Sequence, residues 1–275
     1  MTTHFGLIII GDEILSGKRA DKHLPKAIEL LGARGLQLAY ADYVGDDPAR
    51  ITATLARAFA AARDSGDVVF SCGGIGATPD DHTRQCAAAA LGVELELHPE
   101  ARELITQRMK DLAQEQGTVF DANRHDNIHR LNMGVFPVGA EIIPNPYNKI
   151  PGFSCIAGEG AVHFLPGFPV MAWPMMEAVL DSHYAHLHQK SAYVEKSVIV
   201  MGSMEATLTP LMLEIEACHP QVKVFSLPSV DHATYGRHIE LGVKGLPEAV
   251  EVAYLTLMTG LAKFDLKLGP ELVRP

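Results

Sequence analysis

The sequence predicts an α/β protein: a doubly wound, mostly parallel sheet followed by a small C-terminal α+β domain. Three observations lead there. Short, continuous apolar runs alternate with segments of helical spacing through the first two thirds of the chain. Three of those runs end in loops rich in glycine and aspartate. Near residue 190 the pattern breaks and restarts in a different order, strand–helix–strand–strand–helix. The expected domains are therefore residues 1–185 and residues 190–268.

The elements follow in order. FGLIII (Phe5–Ile10) reads as a buried parallel strand, apolar on both faces. Asp21–Ala33 carries Leu24, Ala27, Ile28 and Leu31 at helical spacing, and Gly35 closes it. Leu36–Val44 is a second strand, and Pro48 opens a helix to about Arg63 at a position where its missing N–H costs little. DVVFS (Asp67–Ser71) is a third buried strand. Helices are expected over His82–Leu91, Pro99–Gln114 and Asp121–Met133. Phe136–Ile143 leads into a Pro-rich stretch. Ser154–Ala157 and Ala161–Leu165 are two strands around Gly-Glu-Gly, and a helix covers Val170–Tyr184. His183–Tyr193 reads as a linker. Beyond it come strands Tyr193–Met201, Val222–Leu227 and Arg237–Val243 and helices Glu205–Ala217 and Pro247–Leu261.

Composition narrows the function. The chain has 275 residues, 47% hydrophobic and 20% charged, which is ordinary for a globular protein. Its 23 Lys and Arg against 33 Asp and Glu give a net charge of -10, with no basic run to offset it. Such a surface repels nucleic acid and anionic membranes, so neither is an expected partner. An anionic ligand must be held locally, by N–H groups, a few cations or a metal. The four Cys are scattered without a C-x-x-C pair, which fits reduced thiols in a cytoplasm. The N-terminus lacks a basic region and a long apolar stretch, so no signal peptide is expected, and no spanning segment is seen.

In open parallel sheets the ligand sits beyond the carboxyl ends of the strands. Three such ends are unusual here. The first is Gly11-Asp12-Glu13-Ile14-Leu15-Ser16-Gly17, which is not a G-x-G-x-x-G fingerprint. The second is Gly45-Asp46-Asp47-Pro48, where Asp47 is explained as a helix cap and Asp46 is left to bind a hard cation. The third is strongest: Cys72-Gly73-Gly74-Ile75-Gly76-Ala77-Thr78-Pro79-Asp80-Asp81-His82-Thr83 runs from a buried strand into a helix. Its glycines let backbone N–H groups approach an oxyanion, and Thr78 and Thr83 add hydroxyls. Asp80 and Asp81 would repel that anion unless a divalent cation bridges the two. Cys72 reads as a small apolar residue rather than a nucleophile.

GDEIL-x-G at Gly11–Gly17, VGDD at Val44–Asp47 and GGIGATPDDHT at Gly73–Thr83 resemble the N-terminal domain of the competence/damage-inducible CinA family, within the molybdopterin-binding superfamily of MoaB, MogA and gephyrin-type domains. NPYNKIPGF (Asn145–Phe153) and LPGFP (Leu165–Pro169) resemble two further motifs of that family. The resemblance implies a three-layer α/β fold and a site for a phosphorylated pterin or nucleotide. It implies Asp46 and Asp81 as functional carboxylates, and Asp46, Asp80 and Asp81 as holders of Mg²⁺ or a similar ion. It implies ligand contacts from Gly11, Asp12, Glu13, Gly73, Gly74, Gly76, Thr78, Thr83, Asn145, Lys149, Pro151, Gly152, Pro166 and Gly167. Molybdopterin itself is an implied ligand, and self-association into a homo-oligomer is implied as well.

Three functions are consistent with the resemblance. The leading one is metal-dependent hydrolysis of a nucleotide pyrophosphate such as ADP-ribose. The others are a non-catalytic pterin- or nucleotide-binding module and adenylyl transfer to molybdopterin. The sequence departs from the family pattern at Ala77, where Pro is usual, at Asn148, where Gly is usual, and at Val170, where Glu is usual. The chain ends at Pro275 without the deamidase domain of full-length CinA, so deamidation is not expected of it. Arg84, Lys149 and Lys18 are candidate phosphate contacts, although a solvated surface explains Arg84 and Lys18 slightly better; Lys149 sits between two motif segments. His125 and His129 would share a helix face, as metal ligands can, with no third partner apparent in the sequence.

Overall fold

The structure is a computed structural model and describes residues 3–188 and 194–274. It divides into two compact units, residues 1–188 and 189–275. Tyr193 and the second half of the expected linker lie outside the described residues.

In the first unit the elements run β1 (Phe5–Ile10), α1 (Asp12–Leu15), α2 (His23–Gly32), β2 (Leu38–Val44), α3 (Pro48–Ser65), β3 (Val68–Cys72), α4 (Thr83–Leu91) and β4 (Leu95–Leu97). They continue with α5 (Pro99–Glu115), α6 (His125–Leu131), β5 (Val135–Pro137), β6 (Glu141–Ile143), β7 (Gly152–Ala157), β8 (Gly160–Leu165) and α7 (Pro169–His183). The main sheet has the order β2-β1-β3-β8-β7-β6. β2, β1, β3 and β8 are parallel, and β7 runs against both of its neighbours. The chain passes from β1 outward to β2, then back across β1 to β3. Strand order therefore reverses at β1, which places a crevice beyond its carboxyl end.

Alternation along the strands builds three layers. Ile8, Ile10 and Val69 face Ile51, Leu55 and Phe59 of α3 and Cys86 and Ala87 of α4. Leu7, Ile9 and Phe70 face Leu30 and Leu31 of α2 and Met175, Met176 and Leu180 of α7. Because both faces are covered, β1, β3 and β8 are buried at every position. Asp47 caps α3 by accepting from the Arg50 N–H at 2.8 Å, and Pro48 occupies the first turn.

Three local expectations are corrected. Asp121–Met133 is helical only from His125 to Leu131. Its first residues form a side-chain turn instead, in which the Asp121 carboxylate accepts from the Asn123 N–H at 2.9 Å. Phe136–Ile143, to which the sequence assigns no element, overlaps two strands: β5 pairs with β4 in a separate two-stranded sheet, and β6 edges the main sheet. The short strand β4 and helix α1 were not foreseen.

The second unit comprises β9 (Val194–Met201), α8 (Glu205–Cys218), β10 (Val222–His232), β11 (Gly236–Gly245), α9 (Pro247–Leu261) and β12 (Lys267–Arg274). Its antiparallel sheet has the order β10-β11-β9-β12, and α8 and α9 bury Leu208, Leu211, Ile215, Tyr254 and Leu257 with it. β12 adds a strand to the expected pattern; its Pro270 and charged residues hide it from periodicity. Among the described residues, no helix is long and apolar enough to cross a membrane.

Candidate functional site

The carboxyl ends of β1, β2, β3 and β8 converge on one cleft of about 410 Å³, a volume suited to a small ligand. Its wall is built from the backbone outward. The Gly73 N–H donates to the Leu165 carbonyl at 3.0 Å, tying the β3 and β8 exits together. Gly73 adopts φ 110°, and a Cβ there would collide with the Ile10 carbonyl oxygen. Gly74 adopts φ 68°, with the Thr83 hydroxyl where its Cβ would stand. Only glycine fits either position.

The loop's carbonyls are turned away and pinned. The Thr83 hydroxyl donates to the Gly73 carbonyl at 3.1 Å, and the Thr83 N–H donates to the Gly74 carbonyl at 3.0 Å. Arg84 is only 4% exposed, and its guanidinium donates to the carbonyls of Ile75 and, at 2.7 Å, of Gly76. Burial holds the Arg84 pKa below its ordinary value, with Asp81 opposing. With the carbonyls engaged, the N–H groups of Gly74, Ile75, Gly76 and Ala77 find no protein acceptor among the described residues. Adjacent unpaired amides of this kind form an anion-binding nest.

Acids surround this nest. The Asp12 N–H donates to Asp46 Oδ2 at 2.9 Å, and the Asp46 N–H donates back to Asp12 Oδ1 at 3.2 Å, which locks the β1 and β2 loops together. Burial raises the Asp46 carboxyl above the usual carboxylate range; the Asp12 N–H opposes this, while the charges of Asp12, Glu13 and Asp80 reinforce it. Asp81 Oδ2 accepts from the Thr78 N–H at 2.8 Å and faces the Thr78 hydroxyl at 2.6 Å. The same hydroxyl contacts Asp80 and is the main reason Asp80 lies below its usual range. One hydroxyl proton serves one carboxylate at a time, so the two acids compete for it, and Asp81 keeps the Thr78 N–H as well.

Asp46, Asp80 and Asp81 all line the cleft, yet among the described residues no three His, Cys, Asp or Glu converge into a metal-holding group. The residues present still suit a hard cation. Mg²⁺ is commonly held by one or two carboxylates while phosphate oxygens of the ligand complete its shell. The excess negative charge felt by Asp46 is what such an ion relieves.

Of the expected contacts, Gly11, Glu13, Gly73, Gly74, Gly76, Thr78, Asn145, Pro151, Pro166 and Gly167 line the cleft. Asp12, Thr83, Lys149 and Gly152 do not. Asp12, exposed, locks the β1 and β2 loops together, and Thr83, buried, pins the glycine loop from behind. Gly152 begins β7, where a Cβ would meet the Phe164 carbonyl. Lys149 pairs with Asp111 of α5 at 2.5 Å, and it adopts φ 64°, the left-handed turn conformation. Asn145 is spent internally: its amide donates to Asn148 at 2.8 Å and to the Ile150 carbonyl at 2.9 Å. Arg84 is a buried clamp rather than a phosphate contact or a solvated side chain, and Lys18 does not line the cleft.

Several lining residues went unforeseen. Arg19 is the one Lys, Arg or His on the wall, and it forms no ion pair among the described residues. Phe168 is 57% exposed and, with Met133, Ile150 and Met171, makes an apolar section. His23 is buried and contacts the Gly167 carbonyl through Nε2 at 3.0 Å, supporting the turn that presents Phe168. Phe168 was findable as the large residue inside the turn Leu165–Pro169; Met133 carried no local signal.

The cleft thus offers unpaired amides, one cation, carboxylates suited to a metal and an apolar wall. Comparison with known proteins gives the family of the first unit. The family described as "Probable molybdopterin binding domain" matches residues 6–186. A CinA-like protein of Anaeromyxobacter sp. strain K is 35% identical over 164 residues, covering 60% of this chain and 37% of that protein. A CinA-like protein of Mycobacterium tuberculosis H37Ra is 28% identical over 251 residues, covering 90% of this chain and 56% of that protein. The crystal structure of the protein CinA, of unknown function, from Thermoplasma acidophilum superposes with a TM-score of 0.54 at 25% identity. It covers 65% of this chain and 98% of that one. The chain therefore spans well under two thirds of these curated relatives.

Proposed function

The chain belongs to the family of probable molybdopterin binding domains, and from that premise we propose that its cleft binds a phosphorylated ring compound, a nucleotide or pterin, and hydrolyses a nucleotide pyrophosphate such as ADP-ribose. The observation that carries this is the row of four unpaired amides, Gly74 to Ala77, beside Asp46, Asp80 and Asp81.

The amides of Gly74–Ala77 bind the phosphoryl oxygens and hold the charge that develops on them during attack. Arg19 adds a positive charge on the same wall. Phe168, Met171, Ile150 and Met133 offer an apolar surface to the face of the ring. One or two of the carboxylates Asp46, Asp80 and Asp81 would hold a divalent ion such as Mg²⁺, which when bound polarises the phosphoryl group and activates water. Chemically, the water oxygen bonds to one phosphorus, the bridging P–O bond breaks and two phosphomonoesters leave. ADP-ribose would give AMP and ribose 5-phosphate. The water's proton passes to solvent.

Incubation with ADP-ribose, FAD and other dinucleotides, with Mg²⁺, Mn²⁺ or Co²⁺, tests this by AMP release. Metal-dependent release that Asp46→Asn lowers by roughly 100- to 1000-fold is expected. No hydrolysis by folded protein with any of these ions would refute it.

The replacements Ala77, Asn148 and Val170 favour a second reading, a binding module without turnover. Calorimetry separates the two: saturable binding of AMP or molybdopterin without product supports the module, and no binding of either refutes both readings.

A further inference from the structure

We propose that His125 and His129 form a two-point site for a borderline divalent transition metal, such as Zn²⁺, Ni²⁺ or Cu²⁺, on the exposed face of α6. The residues stand four apart, one turn of helix, and their Nε2 atoms share a hydrogen bond at 3.2 Å, one ring donating and the other accepting. Two imidazole nitrogens at about 2.05 Å from a tetrahedral ion are separated by about 3.3 Å, and by about 2.9 Å around a square ion. The observed spacing falls between these values, so an ion that displaces the shared proton needs the rings to turn until both Nε2 lone pairs meet at one point, with little change in their separation. The rings are 4.3 Å apart at their centroids and tilted by 68°, and both side chains are exposed.

The surroundings permit a cation. Arg124 and Arg130 flank the pair, and both are tied to Asp126, at 2.6 Å and 3.2 Å. Neither ring nitrogen facing the other is engaged by a third group among the described residues. Among the described residues no further His, Cys, Asp or Glu completes the set, so the remaining coordination positions are open to water or an exchangeable ligand. Imidazole selects ions that the oxygen-rich cleft does not prefer, which makes this site chemically separate from Asp46, Asp80 and Asp81. α6 has seven residues, too few for stability on its own, and it leads directly into the turn that carries Met133 to the cleft. An ion bridging its first and last turns stiffens that segment.

The test is a calorimetric titration of the full chain with ZnCl₂, in excess Mg²⁺ to occupy oxygen sites. Wild type, His125→Ala, His129→Ala and the control His186→Ala/His188→Ala are compared. One Zn²⁺ per chain is expected. Each single replacement removes the second point of attachment and weakens binding by roughly 100-fold, while the control binds as wild type does. Cu²⁺ absorption bands typical of nitrogen ligation should vanish in the same two variants. Absence of binding by wild type, or equal binding by His125→Ala and His129→Ala, would overturn the assignment. Far-ultraviolet circular dichroism confirms that each variant is folded. Because neither residue touches the cleft, the outcome stands apart from that of the hydrolysis assay.

Discussion

Two polar regions of the first unit use the same sheet in opposite ways. On β7 and β8, His163 is buried and fully paired: Nδ1 meets the Ser154 hydroxyl at 2.7 Å and Nε2 meets the Tyr184 hydroxyl at 2.7 Å. Burial pushes its pKa down from 6.5 to about 3, with a smaller push from His183. Every partner is inside the protein, so nothing is left for a ligand. At the strand ends, the amides of Gly74–Ala77 are left open, and burial, reinforced by the neighbouring acids, raises Asp46. Paired polar groups hold the fold together, and unpaired ones at a cleft are available for chemistry.

The largest effect should come from Asp46→Asn. If the cleft holds a metal, turnover should fall by roughly 100- to 1000-fold, while binding of AMP without metal is retained or strengthened, because one negative charge is gone. Kinetics and calorimetry on the same preparation check both halves. Retained turnover would break the contrast between the regions.

Gly73→Ala comes next. It forces a side chain into the Ile10 carbonyl at positive φ, and the expected cost is about 1–3 kcal/mol of stability together with loss of nucleotide binding. Denaturant unfolding and calorimetry measure these. His163→Gln is the matching change in the paired region. It should cost about 1–3 kcal/mol through unsatisfied Ser154 and Tyr184 hydroxyls and leave nucleotide affinity unchanged.

The same residue sets a pH signature. Folded His163 stays neutral while the unfolded side chain protonates near 6.5, so the unfolded state binds more protons as pH falls. Its contribution to stability is therefore present above pH 6.5 and is lost between there and about pH 3. Unfolding curves across that window should be shallower in pH for His163→Gln than for wild type. The smallest effect is Phe168→Ala. It should weaken adenosine by about 1 kcal/mol through lost ring contact and leave ribose 5-phosphate binding unchanged.

The open region was the more legible in sequence. Gly73, Gly74, Gly76, Asp46, Asp80 and Asp81 sit in short loops directly after apolar strands, so their convergence follows from strand order alone. Pro166 and Gly167 follow for the same reason. What stayed hidden depends on packing between distant segments. Arg84 reads as surface charge because nothing local shows that its guanidinium turns under the loop to reach Ile75 and Gly76. Arg19, His23 and Met133 reach the site from elements whose angles the sequence does not state. Lys149 was misplaced because its partner Asp111 lies on α5, 38 residues away. β12 was missed because KLGPELVR has neither alternation nor an apolar run.

The most direct measurement is a two-dimensional amide NMR titration of the ¹⁵N-labelled protein with AMP in the presence of Mg²⁺. Saturable shifts concentrated on Gly74, Ile75, Gly76 and Ala77, with Ser154 and His163 unmoved, are the expected result. Saturable binding that leaves those four amides in place, or no binding by the folded protein, would contradict the anion-gripping role of the loop.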